Sequence, residues 1–280
     1  MPHSTRQTAI AAAVSIRTAA GCRWCGQRER DGVAVSAASL GVGLMHFGFE
    51  EFDSQDRRLV KETGWLPGLE GRFKLAWQRT TLSVDLAYYS GDVDYDGQTS
   101  SSVRIDSSTD EGILDISINA AYQLRLGLPP RVSVYAGGGY RHWDRDIESV
   151  GAVSGLDEAY QWWRAAAGAR LRWPAGVNEW SLDGRLTRTV NPQVEVDFGN
   201  TFDAATLDLG ARWGWRTAAS WLRHVGPRLA ASLSVFYESW DLGQSGVETL
   251  ISNGVPAGTV FQPRSESRNY GALLSLQRDW

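Results

Sequence analysis

The sequence has little of what marks a helical membrane protein or a disulfide-rich domain. Its 280 residues include only 2 cysteines, and its mean hydropathy is −0.29. No stretch approaches the roughly 20 consecutive apolar residues that a membrane-spanning helix needs. The formal net charge of −4 offers no basic surface, so no nucleic-acid partner is expected. These shortages exclude a helical membrane protein and are compatible with an all-β protein.

Both cysteines, Cys22 and Cys25, lie in an N-terminal segment that differs from the rest of the chain. A basic residue precedes its short apolar stretch, 8–16, in the order typical of a secretory signal. The CxxC pair has no second pair that would complete a zinc site. We therefore expect residues 1–32 to be a leader or a disordered segment, and residues 33–280 to form one domain.

Aromatic residues and glycine, in contrast, are abundant, with 13 Trp, 9 Tyr and 30 Gly. From residue 33 onward an alternating apolar and polar stretch is followed by either a tight turn or a long polar loop. This spacing of strands and turns predicts an all-β fold. About ten such stretches occur, and short turns alternate with longer loops, as in single-chain barrels whose two ends face different compartments.

The predicted strands have one apolar face and one polar face. Within residues 113–124, Leu114 and Ile116 belong to one face, whereas Asp115 and Ser117 belong to the other. Alternation with period two over this length indicates strands. A soluble barrel would turn the apolar face inward, and a membrane barrel would turn it outward.

The positions of the aromatic residues favour the membrane barrel. One group falls near the short turns: Trp77, Tyr122, Trp173, Trp180, Trp221 and Trp280. A second group falls near the long loops: Trp65, Tyr88, Trp143, Trp163 and Tyr237. Two aromatic belts are expected where a barrel meets two water–lipid interfaces. The sequence therefore predicts an antiparallel, up-and-down transmembrane β-barrel of about ten strands.

The end of the chain carries a polar residue, a glycine and two alternating hydrophobic residues before a terminal aromatic: Asn269, Gly271, Leu274, Leu276 and Trp280. This pattern resembles the closing strand of bacterial outer-membrane β-barrel proteins of OmpA-like or omptin size, although Arg278 departs from it. The resemblance implies a bacterial outer-membrane location and contact with lipid and lipopolysaccharide. It also implies that the barrel assembly machinery recognises Gly271, Leu274, Leu276 and Trp280.

Charged residues of both signs are predicted to face the lumen. They are Glu70, Arg72, Asp85, Asp115, Arg164, Arg170, Asp183, Arg185, Asp208, Arg212 and Glu238. Barrels of about eight strands are filled by their own side chains, whereas porins with 16–18 strands enclose a channel. Because buried charges require partners, we expect ion pairs to fill this lumen. A narrow passage for small solutes or hydrophobic ligands is the alternative.

A surface enzyme is a second alternative. The omptin proteases are ten-stranded barrels with acidic residues and a His–Asp pair at the rim, and this chain offers His142, Asp144, Asp92 and Asp94 near predicted strand ends. A histidine held by a carboxylate could act as a general base. The order His142-x-Asp144 is the reverse of the omptin Asp-x-His, and solvated strand ends are the simpler interpretation. No cofactor or metal motif is found, so none is expected.

Three polar segments are predicted to be extracellular loops that contact a ligand: 53–64, 96–110 and 243–263. Loops on a rigid scaffold commonly carry function. The last segment contains apolar residues, including Leu250 and Val255, which either cover the barrel mouth or bind a partner. The favoured function is that of a non-enzymatic surface or envelope protein with a scaffold, adhesion or interaction role.

Overall fold

The computed structural model describes residues 34–98, 103–127, 130–151, 153–199 and 201–280. The predicted leader, with Cys22 and Cys25, lies outside the described residues. Within those ranges, no helix is long and apolar enough to cross a membrane.

The described residues form antiparallel strands in a single closed sheet with one additional hairpin. The strands are β1 (Ala34–Phe52), β2 (Arg58–Trp77), β3 (Thr80–Gln98), β4 (Arg104–Gln123), β5 (Arg131–Ile147), β6 (Leu156–Ala175), β7 (Asn178–Asp197), β8 (Ala205–Asp208), β9 (Trp213–Gly226), β10 (Leu229–Leu242), β11 (Glu248–Ser252), β12 (Val255–Val260) and β13 (Arg264–Asp279). β8 and β9 are two parts of one interrupted barrel strand, and β11 pairs only with β12. The β6–β7 and β1–β13 pairings close the sheet. The predicted ten-strand antiparallel barrel is therefore confirmed.

Alternation along each strand determines which residues face lipid. On β4, Ile118 is 53% exposed whereas its neighbour Ser117 is 5% exposed. The same outward exposure of apolar residues is found on β1 at Leu40 and Val42, and on β13 at Leu274. Such a continuous apolar surface suits a lipid environment. The predicted orientation, apolar outward and polar inward, is correct.

Aromatic residues border this apolar surface at both ends. At the short-turn end, Trp77, Tyr122, Trp180 and Trp280 are exposed on the outer face. At the long-loop end the exposed rings are Trp65, Tyr88, Trp163, Trp213, Trp215 and Tyr270. Trp143 was predicted to belong to this second belt, and that prediction is wrong. The odd-numbered positions of β5 point inward, and Trp143 is fully buried and stacked on Tyr160 with 4.5 Å between ring centroids.

The strands continue past the long-loop belt, so two predicted loops are shorter than expected. β2 begins at Arg58, and the turn before it covers only 53–57 rather than 53–64. β3 and β4 likewise extend into 96–110, where Asp96 lies opposite both Lys61 of β2 and Asp106 of β4. Beyond the belt the outward side chains meet water and are polar. Apolar and polar residues therefore stop alternating at the belt, whereas the hydrogen-bonded strands continue beyond it.

One barrel strand is interrupted between β8 and β9. The pairing of β9 with β10 ends at Trp215–Ser239, and the next contact between these walls is a bridge between Gly210 and Gly243. The amide of Gly243 donates to the carbonyl of Gly210 at 2.7 Å, and the reciprocal hydrogen bond is 3.2 Å long. Leu207 points inward and Trp213 outward although both are odd-numbered, so the interruption exchanges the two faces of the strand.

The close approach of these two glycines leads to a stability prediction. A Cβ added at Gly243 would lie 2.7 Å from the Cα of Gly210, which forces the backbone to move. We expect Gly243→Ala to destabilise the detergent-refolded barrel by about 1–3 kcal/mol, as overpacking does elsewhere. Urea unfolding followed by tryptophan fluorescence measures this loss. Gly246→Ala, at a position with open space around it, is the matched control and should be neutral. Equal midpoints for the two variants would contradict the prediction.

Candidate functional site

The lumen layer nearest the short turns consists of cross-strand ion pairs. Arg72 of β2 lies opposite Asp85 of β3 and pairs with it. Arg170 of β6 lies opposite Asp183 of β7 in the same way, and its Nε donates to Asp183 Oδ2 at 2.9 Å. The Tyr135 hydroxyl donates to the other oxygen of Asp183 at 2.8 Å. Directly opposed residues of opposite charge stabilise a sheet. These pairs occupy the lumen without leaving either carboxylate unpartnered.

The middle layer crosses the lumen from one wall to another. Arg141 of β5 donates to Asp115 of β4 at 2.7 Å and to Glu238 of β10 at 2.8 Å. Arg164 also pairs with Asp115, and Arg185 lies 3.6 Å from Glu238. Because β5 and β10 are distant in the sheet order, the Arg141–Glu238 hydrogen bond bridges the barrel interior.

The layer nearest the long loops surrounds one guanidinium with four carboxyl groups. Arg145 lies 2.8 Å from Glu62, 3.6 Å from Glu51 and 3.7 Å from Glu111, and it also pairs with Glu158. We call Arg145 and these four glutamates the glutamate cage. All five side chains are at least nine-tenths buried. A single cation therefore serves four carboxyl groups in a space with little access to water.

Aromatic rings complete the enclosure of Arg145. Its guanidinium carbon lies 4.5 Å from the ring centre of Phe49, 5.3 Å from that of Trp143 and 5.8 Å from that of Tyr160. Such cation–π contacts favour a desolvated guanidinium. The glutamate cage and its rings thus form a dense layer of charged and aromatic side chains across the lumen.

The glutamate cage lies beyond the aromatic belt and outside the membrane-spanning part of the barrel. On β1, His46 stacks on the belt residue Tyr270, and Glu51 is five positions nearer the long-loop end. Burial, together with the carboxylates of Glu158 and Glu62, raises the pKa of Glu51 to about 8 against the opposing effect of Arg145. Burial therefore disfavours the ionised form of the Glu51 carboxyl more strongly than Arg145 favours it.

Most of the predicted lumen charges lie where the sequence pattern places them. Those that line the lumen are Glu70, Arg72, Asp85, Asp115, Arg164, Arg170, Asp183, Arg185 and Glu238. Asp208 and Arg212 are exceptions, because the interruption between β8 and β9 exchanges the faces of that strand. Asp208 is exposed and accepts a hydrogen bond from Gln193 at 2.7 Å, and Arg212 is also exposed.

Several lumen charges were not predicted. They are Glu51, Glu62, Glu111, Arg141, Arg145 and Glu158. Glu62 has the same parity on β2 as Glu70, but it falls in a segment predicted to be a loop. Continuing the period-two count past the apolar stretch would have identified it. The same count on β5 places Arg141 and Arg145 on the inward face.

The four candidate catalytic residues lie on the outer face of the projecting strands. His142 Nε2 is 3.0 Å from Asp144 Oδ1, so these two do form a pair. Asp92 and Asp94 are exposed on β3, and β4 separates them from β5. These four side chains do not face one another across a cleft. In addition, no group of three or more His, Cys, Asp or Glu residues within the described ranges has an arrangement that would hold a metal ion.

The segment 243–263 contains the hairpin β11–β12, and its base contacts Glu51 of the glutamate cage. Gln262 Nε2 donates to Glu51 at 2.6 Å, and the backbone amide of Gln262 donates to Ser245 at 2.8 Å. Leu250 is buried on β11, whereas Val255 is 62% exposed at the start of β12. The base of the segment is therefore buried beside Glu51, while the hairpin tip is exposed.

Comparison with known proteins agrees with this architecture. Residues 8–214 match the family model described as an outer membrane protein beta-barrel domain. No curated protein sequence matches the chain. Among solved structures, the outer membrane protease OmpT from Escherichia coli is similar with a TM-score of 0.58 at 10% identity, covering 90% of this chain and 99% of OmpT.

Two further solved structures are similar at lower scores. The outer membrane protein AlkL in lipid bilayers has a TM-score of 0.42 at 11% identity, covering 92% of this chain and 97% of AlkL. Neisserial surface protein A has a TM-score of 0.33 at 9% identity, covering 87% of this chain and 99% of that protein. At such identities the likeness concerns the fold alone.

Proposed function

Because this chain belongs to the outer membrane protein β-barrel family, we propose that it is a non-conducting surface protein of the bacterial outer membrane. Its role is that of a scaffold or adhesion protein that acts through the strands and loops projecting beyond the membrane. The observation that carries the proposal is the set of three layers of ion-paired side chains across the lumen. Function then falls to the exposed outer end, where loops on a rigid barrel bind partners.

The three lumen layers support a barrel that does not conduct. A solute would have to separate Arg141 from Glu238 in the middle layer and then pass the glutamate cage. Removing one partner from a buried ion pair costs about 3–5 kcal/mol, and a passing solute would face such a barrier more than once. A channel for small solutes or hydrophobic ligands is therefore less well supported.

An enzymatic role also has less support. The His142–Asp144 pair lies on the outer face, and its acidic partners are not arranged around it. OmpT is an outer membrane protease, but a likeness at 10% identity does not transfer that activity to this chain. An exposed scaffold accounts for the same residues as solvated strand ends.

The partners that we propose follow from location. Lipid and lipopolysaccharide contact the apolar outer face, and the barrel assembly machinery recognises the closing strand at Gly271, Leu274, Leu276 and Trp280. An extracellular ligand binds within the three segments predicted as loops, 53–64, 96–110 and 243–263. Within the last segment, the exposed tip of the hairpin β11–β12 is the surface best placed for contact.

Conductance of purified protein tests the sealed lumen. We expect no discrete conductance steps from the wild-type barrel in a planar bilayer, because ion-paired side chains cross the lumen in three layers. A general porin in the same bilayer is the positive control, and faster gel migration of unheated than of heated protein shows that the barrel is folded. Reproducible single-channel steps from folded protein would overturn the proposal in favour of a channel.

Cell binding tests the surface role. Cells that display the protein should adhere to immobilised collagen, laminin or fibronectin more than cells with an empty vector. Replacement of 248–260 by a short Gly-Ser turn should remove this difference without changing the amount of folded barrel, whereas shortening 53–57 should have a smaller effect. Adhesion that is unchanged without the hairpin would contradict its role, and no adhesion by wild-type cells would contradict the adhesion function.

A further inference from the structure

A small cavity lies in the lumen beside the interruption between β8 and β9. It has a volume of about 20 Å³, and its lining includes Arg141, Arg164, Arg185, Arg216, Glu238 and Trp240. A space above roughly 10–15 Å³ holds one water molecule or an ion of similar size. The cavity therefore accommodates one small ligand.

The lining has more hydrogen-bond donors than its acceptors use. Arg185 Nε and Trp240 Nε1 are both buried and make no hydrogen bond to any described residue. Trp240 is only 4% exposed, so bulk water does not satisfy its indole N–H. A buried donor without a partner costs about 1–3 kcal/mol. Two such donors on one cavity favour the binding of an acceptor there.

The charges around the cavity also favour the binding of an acceptor, and specifically of a negatively charged one. Four guanidinium groups line it: those of Arg141, Arg164, Arg185 and Arg216. Their carboxylate partners are Asp115, Glu238 and Glu70, which leaves one positive charge in excess. Buried charges that are not compensated within the protein require a counterion.

We propose that this cavity binds one small monovalent anion of the size of chloride. Such an ion accepts hydrogen bonds from Arg185 and Trp240 and neutralises the excess charge of the middle layer. A water molecule would satisfy the donors but not the charge, and a cation would be repelled by four guanidinium groups. The volume excludes organic anions such as gluconate. The ion serves as an internal counterion, a role independent of what the outer surface binds.

Thermal unfolding of the detergent-refolded barrel in chloride and in gluconate at equal ionic strength tests the proposal. A ligand that binds only the folded state raises the unfolding midpoint in proportion to the logarithm of its concentration above Kd. When the chloride concentration is roughly ten times Kd, we expect the thermal unfolding midpoint to be about 3 °C higher in chloride than in gluconate. Equal wild-type midpoints in the two salts would overturn the proposal.

Two variants and a control locate the effect. Arg185→Gln removes the excess charge, and Trp240→Phe removes the indole donor, so each should lose the difference between chloride and gluconate. Arg170→Gln, in the layer nearest the short turns, should keep that difference even if its midpoint is lower in both salts. A response that persists in both cavity variants would assign chloride to another site.

Anomalous diffraction from crystals grown in bromide provides a measurement that does not depend on stability. A single bromide peak between Arg185 and Trp240 is expected. If bromide binds elsewhere in the crystal while the cavity holds only water, the proposal is refuted.

Discussion

Arg145→Leu should leave little folded barrel at neutral pH, or a barrel less stable by about 3–5 kcal/mol, which is the usual effect of removing one partner from a buried ion pair. The substitution leaves Glu51, Glu62, Glu111 and Glu158 buried without their shared cation. It also removes the guanidinium that packs on Phe49. Among the lumen cations that the structure describes, Arg145 contacts the largest number of carboxyl groups.

The effect should depend on pH in a definite direction. Arg145 lowers the pKa of Glu51, so its removal raises that pKa further above the value of about 8. A carboxyl group whose pKa is raised in the folded state stabilises the fold at low pH and loses that contribution as pH rises toward the folded-state pKa. Urea midpoints of Arg145→Leu should therefore rise as the pH falls from 8 to 5. Because the pKa of Glu51 is already about 8 in the wild type, the deficit of the variant relative to wild type should widen mainly above pH 8.

The matched control is Arg58→Leu at the same end of the barrel. Arg58 is half-exposed and lies 3.2 Å from Glu50, so its loss should cost no more than about 1 kcal/mol, as for other surface pairs. Urea unfolding of both variants in one detergent compares them directly. Similar midpoints for Arg145→Leu and wild type would show that the glutamate cage holds enough protons to need no cation.

The sequence was sufficient to predict the membrane-spanning part of the barrel, because there the physical constraint is strict. Lipid on one side and a polar lumen on the other force apolar and polar residues to alternate, as at Asp115 and Ile116. Beyond the belt both faces of a strand contact polar surroundings. Glu62 therefore resembled a loop residue in sequence although the structure places it in a strand.

The composition of the lumen was predictable, but its pairing was not. Parity along a strand places Arg164 and Glu238 inward, whereas the partner of each depends on how distant strands face one another after closure. Local irregularities are a second limit. The interruption before Trp213 exchanges the two faces of one strand, so Asp208 lies outside the lumen. The alternation of apolar and polar residues along the chain does not reveal this exchange.

Trp280→Ala should lower the amount of folded protein in the outer membrane by roughly tenfold or more, since loss of an aromatic anchor from a recognition site commonly costs 2 kcal/mol or more. The structure assigns Trp280 only a modest part in the finished barrel. It is 53% exposed, and the guanidinium carbon of Arg278 lies 5.9 Å from its ring centre. The β1–β13 ladder ends at Ala37–Asp279 and does not include it.

Trp180→Ala separates assembly from membrane anchoring. Trp180 is 56% exposed in the same belt but lies within the chain, so its substitution removes an interfacial ring and leaves the terminal segment intact. Both variants should refold in detergent with urea midpoints close to wild type, and only Trp280→Ala should be depleted from the outer membrane of cells. Equal depletion would show that both rings act as anchors alone. Normal levels of Trp280→Ala would show that the assembly machinery does not depend on Trp280.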